Sequence, residues 1–163
     1  MFGLSSIYAQ QSVKLTDPQV ASVAVTANQI DIDYAEIALK KSSNADVLNF
    51  AKTMVSDHKA VIGQAVDLAK KLNVTPQSND LTKKLLADAE KTKKQLKAQK
   101  GAAFNKAYIN NEVAYHKAVI DAVEKVLIPE TDNGELKSLL QTVVPALKTH
   151  LSHAEMLQKT LGK

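Results

Sequence analysis

The segment DPQVASVAVTANQIDIDYAEIALKKSSNADVLNFAKTMVSDHKAVIGQAVDLAKKL, residues 17–72, decides the fold. Asp17-Pro18 is a helix start, with Thr16 or Asp17 as the cap and Pro18 in the first turn, where its missing N–H costs nothing. Apolar residues then recur at Val20, Val23, Ala24, Ala27, Ile30, Tyr34, Ile37 and Ala38, the spacing of one helical face. The stripe ends near Lys41. Ser42-Ser43-Asn44 is a short junction, and Asn44 is placed to cap a second helix. That helix carries Val47, Phe50, Ala51, Met54, Val61, Ala65, Leu68 and Leu72 before Asn73-Val74-Thr75-Pro76 stops it, because proline disfavours helical geometry in the residue before it. Two long amphipathic helices joined by three residues predict a helical hairpin.

The rest of the chain repeats the pattern. A lysine-rich helix over about 78–100 has only a thin stripe, Leu81, Leu85, Ala89 and Leu96, and is expected to lie against the others rather than at their centre. Gly101 marks a break. A fourth helix runs from about 102 to 127, residues 129–134 read as a loop, and a fifth helix covers about 135–161 with Pro145 inside it, predicting a kink or a loosened turn. Four helices of similar length and one peripheral helix make an all-α bundle within one domain, residues 17–163. Residues 1–16 show no helical period and read as a mobile N-terminus. Their first part, MFGLSSIYAQQ, is uncharged and resembles the back half of a secretory signal, so export is the expectation.

Composition excludes several functions. There is no cysteine in 163 residues, hence no disulfide, thiolate nucleophile or Fe–S site. No window is long and apolar enough for a membrane span. The net charge is +4, yet every basic residue is lysine. Without arginine's fork for phosphates and guanine edges, nucleic acid is not an expected partner. The run KTKKQLKAQK, residues 91–100, reads as a solvated helix face, with peripheral contact to an anionic envelope surface as the alternative. There is no glycine-rich phosphate loop and no nucleophile–base–orienter set, which favours a binding or structural protein over an enzyme.

Polar residues interrupt the apolar stripes at matching depths. Asp31 sits on the inward face of the first helix and His58 on that of the second. Glu112 and His116 share a face of the fourth, and His150 shares one with His153 on the fifth. At about 1.5 Å per residue, Asp31, His58, His116 and His150 each lie roughly 17–22 Å from the same end of the bundle. That coincidence requires up-down-down-up helices with a crossover, the ferritin-like order. Buried imidazoles and carboxylates are costly unless paired or coordinated. His58, His116, His150, Asp31 and Glu112 therefore suit one divalent metal ion, with Zn, Fe or Mn as candidates, or else a metal-free polar network in which carboxylates hold histidine tautomers. Asp57 points about 100° from His58 and is expected to face solvent. Tyr34, Tyr108, Tyr115 and Met54 read as core.

Three segments carry a family resemblance: FAKTMVSDHKAV at 50–61, GAAFNKAYINNEVAYHKAV at 101–119 and VVPALKTHLSHAEML at 143–157. In order and spacing they resemble DUF4142, a bacterial, often exported, ferritin-like helical family of undefined role. The resemblance puts the family's Asp-His pair on Asp57-His58 and its later histidines on His116 and His150. It also implies two departures, Asp31 where a glutamate is usual and Phe104-Asn105 where the family has Phe-Asp. A di-iron carboxylate centre would need Glu-x-x-His on two helices. The chain has none, and Glu112 and His116 are four apart, so ferroxidase or oxygenase chemistry is not expected.

Overall fold

The computed structural model describes residues 14–162, and every regular element among them is helical. In chain order these are α1 (Asp17–Lys41), α2 (Ala45–Lys71), α3 (Asp80–Ala98), α4 (Gly101–Ala122), a π-helical segment (Val123–Leu127), a single turn α5 (Ile128–Glu130) and α6 (Gly134–Leu161). The signal-like stretch at 1–11 lies outside the described residues. Lys14 and Leu15, expected to be mobile, are tied down: Lys14 pairs with Asp132, and the Leu15 N–H donates to Glu130.

Local chemistry sets the boundaries. The Thr16 N–H donates to the Gln19 side chain at the start of α1. Asn44, Asn79 and Asn133 each accept backbone N–H groups at the starts of α2, α3 and α6, satisfying donors a helix leaves orphaned. α2 ends in a Schellman motif: Asn73 adopts φ 51°, its N–H reaches the Lys70 carbonyl, and the Val74 N–H reaches that of Ala69. Asparagine tolerates this left-handed geometry better than other side-chain-bearing residues, so the stop is made before Pro76 is reached. Gly101, at φ 55°, turns the chain between α3 and α4. The segment 129–134, expected to be a loop, is helical as far as Glu130. The π-helical segment carries the chain into α5, and only residues 131–133 are non-helical. α6 runs unbroken through Pro145, which stands on an exposed face, so the Gln141 carbonyl it leaves without a donor is on the solvent side.

Hydrogen bonds fix the helix directions. The three-residue junction makes α1 and α2 antiparallel. The Ser42 hydroxyl donates to Asn105, so α4 starts beside the end of α1. Asp17 accepts the N–H groups of Asp132 and Asn133, so α6 starts beside the start of α1. Thus α4 runs with α2, and α6 with α1. Helix α3 carries the chain back along α1, from the Gln77 N–H on the Pro18 carbonyl to Lys41 on the Lys97 carbonyl. It packs mainly on α1, outside the ring formed by α1, α2, α6 and α4.

Two apolar clusters line the inside of the ring. One, around Phe50, Met54, Phe104 and Tyr108, is sealed from solvent; Met54, Tyr34 and Tyr108 are core, as expected. The other, around Val20, Val123, Leu127 and Leu140, lies toward the start of α1. The second half of α2 joins it loosely. Val61, Ala65, Leu68 and Leu72 continue the inward stripe, yet none is fully buried.

Candidate metal centre

Between the two clusters lies a layer of ionisable side chains. Asp31 comes from α1, His58 from α2, Glu112 and His116 from α4, and His150 from α6. All five are buried, Glu112 completely. The imidazoles form a triangle, with ring centroids 5.9 Å apart for His58–His116, 5.3 Å for His58–His150 and 5.5 Å for His116–His150. His153 lies outside it, its ring edge-on to Phe50 at 5.2 Å.

Each imidazole has one nitrogen engaged and the other free. The Asn28 amide donates to the Ala24 carbonyl, which leaves its oxygen as the acceptor facing Nδ1 of His58 at 2.7 Å. Nδ1 of His116 donates to the Glu112 carbonyl one turn earlier, at 3.0 Å. Nε2 of His150 donates to Asp57 at 2.9 Å. These bonds place the proton on the engaged nitrogen and a lone pair on the other. Nε2 of His58, Nε2 of His116 and Nδ1 of His150 are buried without a hydrogen-bond partner, as are Oδ1 of Asp31 and Oε2 of Glu112. Native interiors hold few such orphans, because each loses its water without replacement.

The charge states agree with this picture. Burial, assisted by the neighbouring histidines, pulls the His58 pKa down to about 3. Burial also takes His116 down to about 4. Both rings are neutral at pH 7 and keep their lone pairs. Burial pushes the Asp31 carboxyl up to about 8. It raises Glu112 well above the carboxylate range, with the Asp31 charge adding to the effect. Oδ2 of Asp31 stands 3.5 Å from Nε2 of His58 and 3.6 Å from Nε2 of His116, beyond a good hydrogen bond. Oε2 of Glu112 stands 3.6 Å from Nδ1 of His116.

Two sets have the compactness a metal ion needs. His58, His116 and His150 each offer a nitrogen within 4.8 Å of the other two, and Asp31, Glu112 and His116 form a second such group. The layer could hold a metal: neutral imidazoles with outer partners that orient them are the usual form of a histidine site. All five residues expected from the sequence are brought together here.

Sequence reasoning missed two of the orienting partners. Asp57 does not simply face solvent; it is half-exposed and holds His150 from across the α2–α6 seam. Asn28 was not singled out at all. Its signal was available, since it lies three residues before Asp31 on the same face of α1. Tyr115 is also partly polar in role, its hydroxyl donating to the Ala27 carbonyl at 2.9 Å.

A family model described as "Domain of unknown function (DUF4142)" matches residues 4–157. The chain belongs to the DUF4142 family. No curated protein matches it. Among solved structures, this DUF4142 chain is similar in fold to one described as "CopM in the Cu(II)-bound form". The TM-score is 0.68 and the identity 14%, covering 91% of this chain and 99% of that one. At that identity the likeness concerns the fold of the DUF4142 bundle alone.

Proposed function

We propose that this protein binds one divalent metal ion between His58, His116 and His150, with Asp31 and Glu112 as the adjoining carboxylates, and that it acts by binding rather than catalysis. One observation carries the reading: three buried imidazoles each leave a lone pair unpartnered while the opposite nitrogen is anchored by a hydrogen bond. A metal-free network would have used those lone pairs internally; here they are left free. Copper is the first metal to test. Imidazole suits it, Cu(II) heads the affinity order for nitrogen sites, and a neighbour in fold is described as Cu(II)-bound. Zn, Fe and Mn follow.

Helices in up-down-down-up order with α3 as the crossover make the bundle ferritin-like in this reading, and the signal-like start of the chain supports action outside the cytoplasm. In this reading the run 91–100 is a solvated helix face, with Lys91 and Lys93 held in ion pairs, and peripheral contact with an anionic envelope surface is the alternative. No helix among the described residues is long and apolar enough to cross a membrane.

The test is elemental analysis of protein purified without a histidine tag, after reconstitution with Cu, Zn, Fe and Mn in turn, coupled to competition with a chelator. About one metal per chain, lost in His58→Ala and His150→Ala, supports the reading. Substoichiometric metal in every case refutes it.

A further inference from the structure

Below the histidine layer, toward the start of α1, the bundle holds a cavity of about 410 Å³ that is partly open to solvent. It exists because small side chains stand where the helical period puts inward residues. Ala24 on α1 and Ala65 on α2 stand in the inward stripes and line it, and Leu68 and Val143 border it without closing it. Above the layer the equivalent positions are sealed, with Phe50, Ala51 and Ala38 fully buried. Interiors are normally packed to crystal-like density, so a hollow of this size forfeits contacts along its whole wall.

We propose that this chamber takes the hydrocarbon chain of a long single-chain carboxylic acid, whose head meets the histidine layer. The placement of the head rests on the metal reading; the placement of the chain does not.

Three observations select this occupant. The polar groups are concentrated at one end: His58, His116, His150 and Asp31 all line the chamber, and each has an unpartnered buried atom. The polar groups at the far end, Asp17 and Asn133, already accept the backbone N–H groups at the start of α6, and Asp88 is half-exposed and paired with lysines. The ligand is therefore polar at one end and apolar along its length. Second, His58 and Leu72 both line the chamber, and they are about 21 Å apart along α2, the span of an extended long acyl chain. Third, a carboxylic acid matches the layer chemically. Protonated, it both donates to an imidazole lone pair and accepts; ionised, it supplies an oxygen ligand to a metal held by imidazoles.

The test uses the full chain, delipidated, with and without one equivalent of Cu(II). Palmitate, octanoate and acetate compete against a fluorescent fatty acid, and native mass spectrometry gives stoichiometry. Ala65→Phe on α2 and Val143→Phe on α6 obstruct the chamber from two neighbouring walls and leave the histidines untouched; circular dichroism checks that each folds. The expected result is one palmitate per chain, no competition by acetate, and palmitate affinity at least about tenfold weaker in a folded obstructing variant, with copper affinity unchanged. If copper fails to bind but palmitate still binds and obstruction removes it, the chamber assignment stands and the metal reading falls. The proposal is overturned if palmitate does not bind the wild type in either form, whatever the copper result. It is overturned too if folded Ala65→Phe and Val143→Phe both bind palmitate like the wild type, or if the wild type is a dimer that obstruction dissociates, which would give the chamber to a second copy.

Discussion

Nε2 of His150 donates to Oδ2 of Asp57 at 2.9 Å, across the seam between α6 and α2. This bond fixes the proton of His150 on its outer nitrogen and joins two helices that pack less extensively than α1 and α2. Asp57 thus acts on the layer without belonging to it.

Removing that carboxylate frees the His150 ring to turn and to change tautomer. Asp57→Ala is expected to weaken metal affinity by about 10–100-fold, as loss of an outer partner does at other histidine sites. The buried His150 N–H loses its acceptor, at a cost to the apo-protein of about 1 kcal/mol, the low end because Asp57 is half-exposed. A chelator competition titration beside an apo thermal melt separates the two effects.

Replacing a histidine by an apolar residue of similar size separates binding from folding. His116→Leu removes a ring whose Nε2 is buried and unpartnered, so the apo chain is expected to melt no lower than wild type. What it loses is the response to metal. Wild type at a free-metal concentration a hundredfold above Kd gains about 2.7 kcal/mol, and the variant gains none. Thermal melts with and without metal read both quantities.

The pH dependence of the apo-protein follows from the opposed shifts. Asp31 has a folded pKa raised to about 8 from 3.8, so the folded state holds its proton where the unfolded chain has lost it. Stability from this group is full below the unfolded value and declines as pH rises toward 8. His58 and His116 are lowered to about 3 and about 4 from 6.5, so the unfolded state binds more protons below pH 6.5. Their stability is present above 6.5 and is lost as pH falls toward 3. Between pH 6.5 and 8 the carboxyls alone act. Asp31→Asn is therefore expected to flatten the decline in urea midpoint over that window, and an unchanged slope would refute the assignment.

Gly101 turns the chain from α3 into α4 at φ 55°. A Cβ there meets nothing within 4 Å, so the cost of Gly101→Ala is the left-handed backbone alone. Destabilisation of about 1–2 kcal/mol is expected, read as a lower urea midpoint with unchanged slope.

The candidate site was unusually legible in the amino-acid sequence. Asp31, His58, His116 and His150 fall at one depth because helices have a fixed rise, and depth can be counted along a chain once the helices are recognised. Glu112 came with His116 through their four-residue spacing. Asp57 was misplaced for the complementary reason. Its direction from the α2 axis is correct, but the side chain it would meet belongs to α6, and no local pattern shows which helix stands opposite. Residues 129 and 130 are helical although Pro129, read locally, signals a break. Pro129 instead sits at the start of a turn reached through a π-helical segment, where its missing donor is harmless.

By itself the chain determined what is local: helix type, most boundaries, and the heights at which polar groups interrupt the apolar faces. These follow from period, capping and rise, each a property of neighbouring residues. For His116 the anchor is local, the Glu112 carbonyl one turn earlier; only the tertiary structure decided which nitrogen of His58 and of His150 is free. That depends on Asn28 thirty residues from His58 and on Asp57 ninety-three residues from His150. It also decided that the alanines below the layer leave a chamber. Small residues on one helix mean close packing or empty space according to what faces them, and the facing helices meet only when the bundle closes.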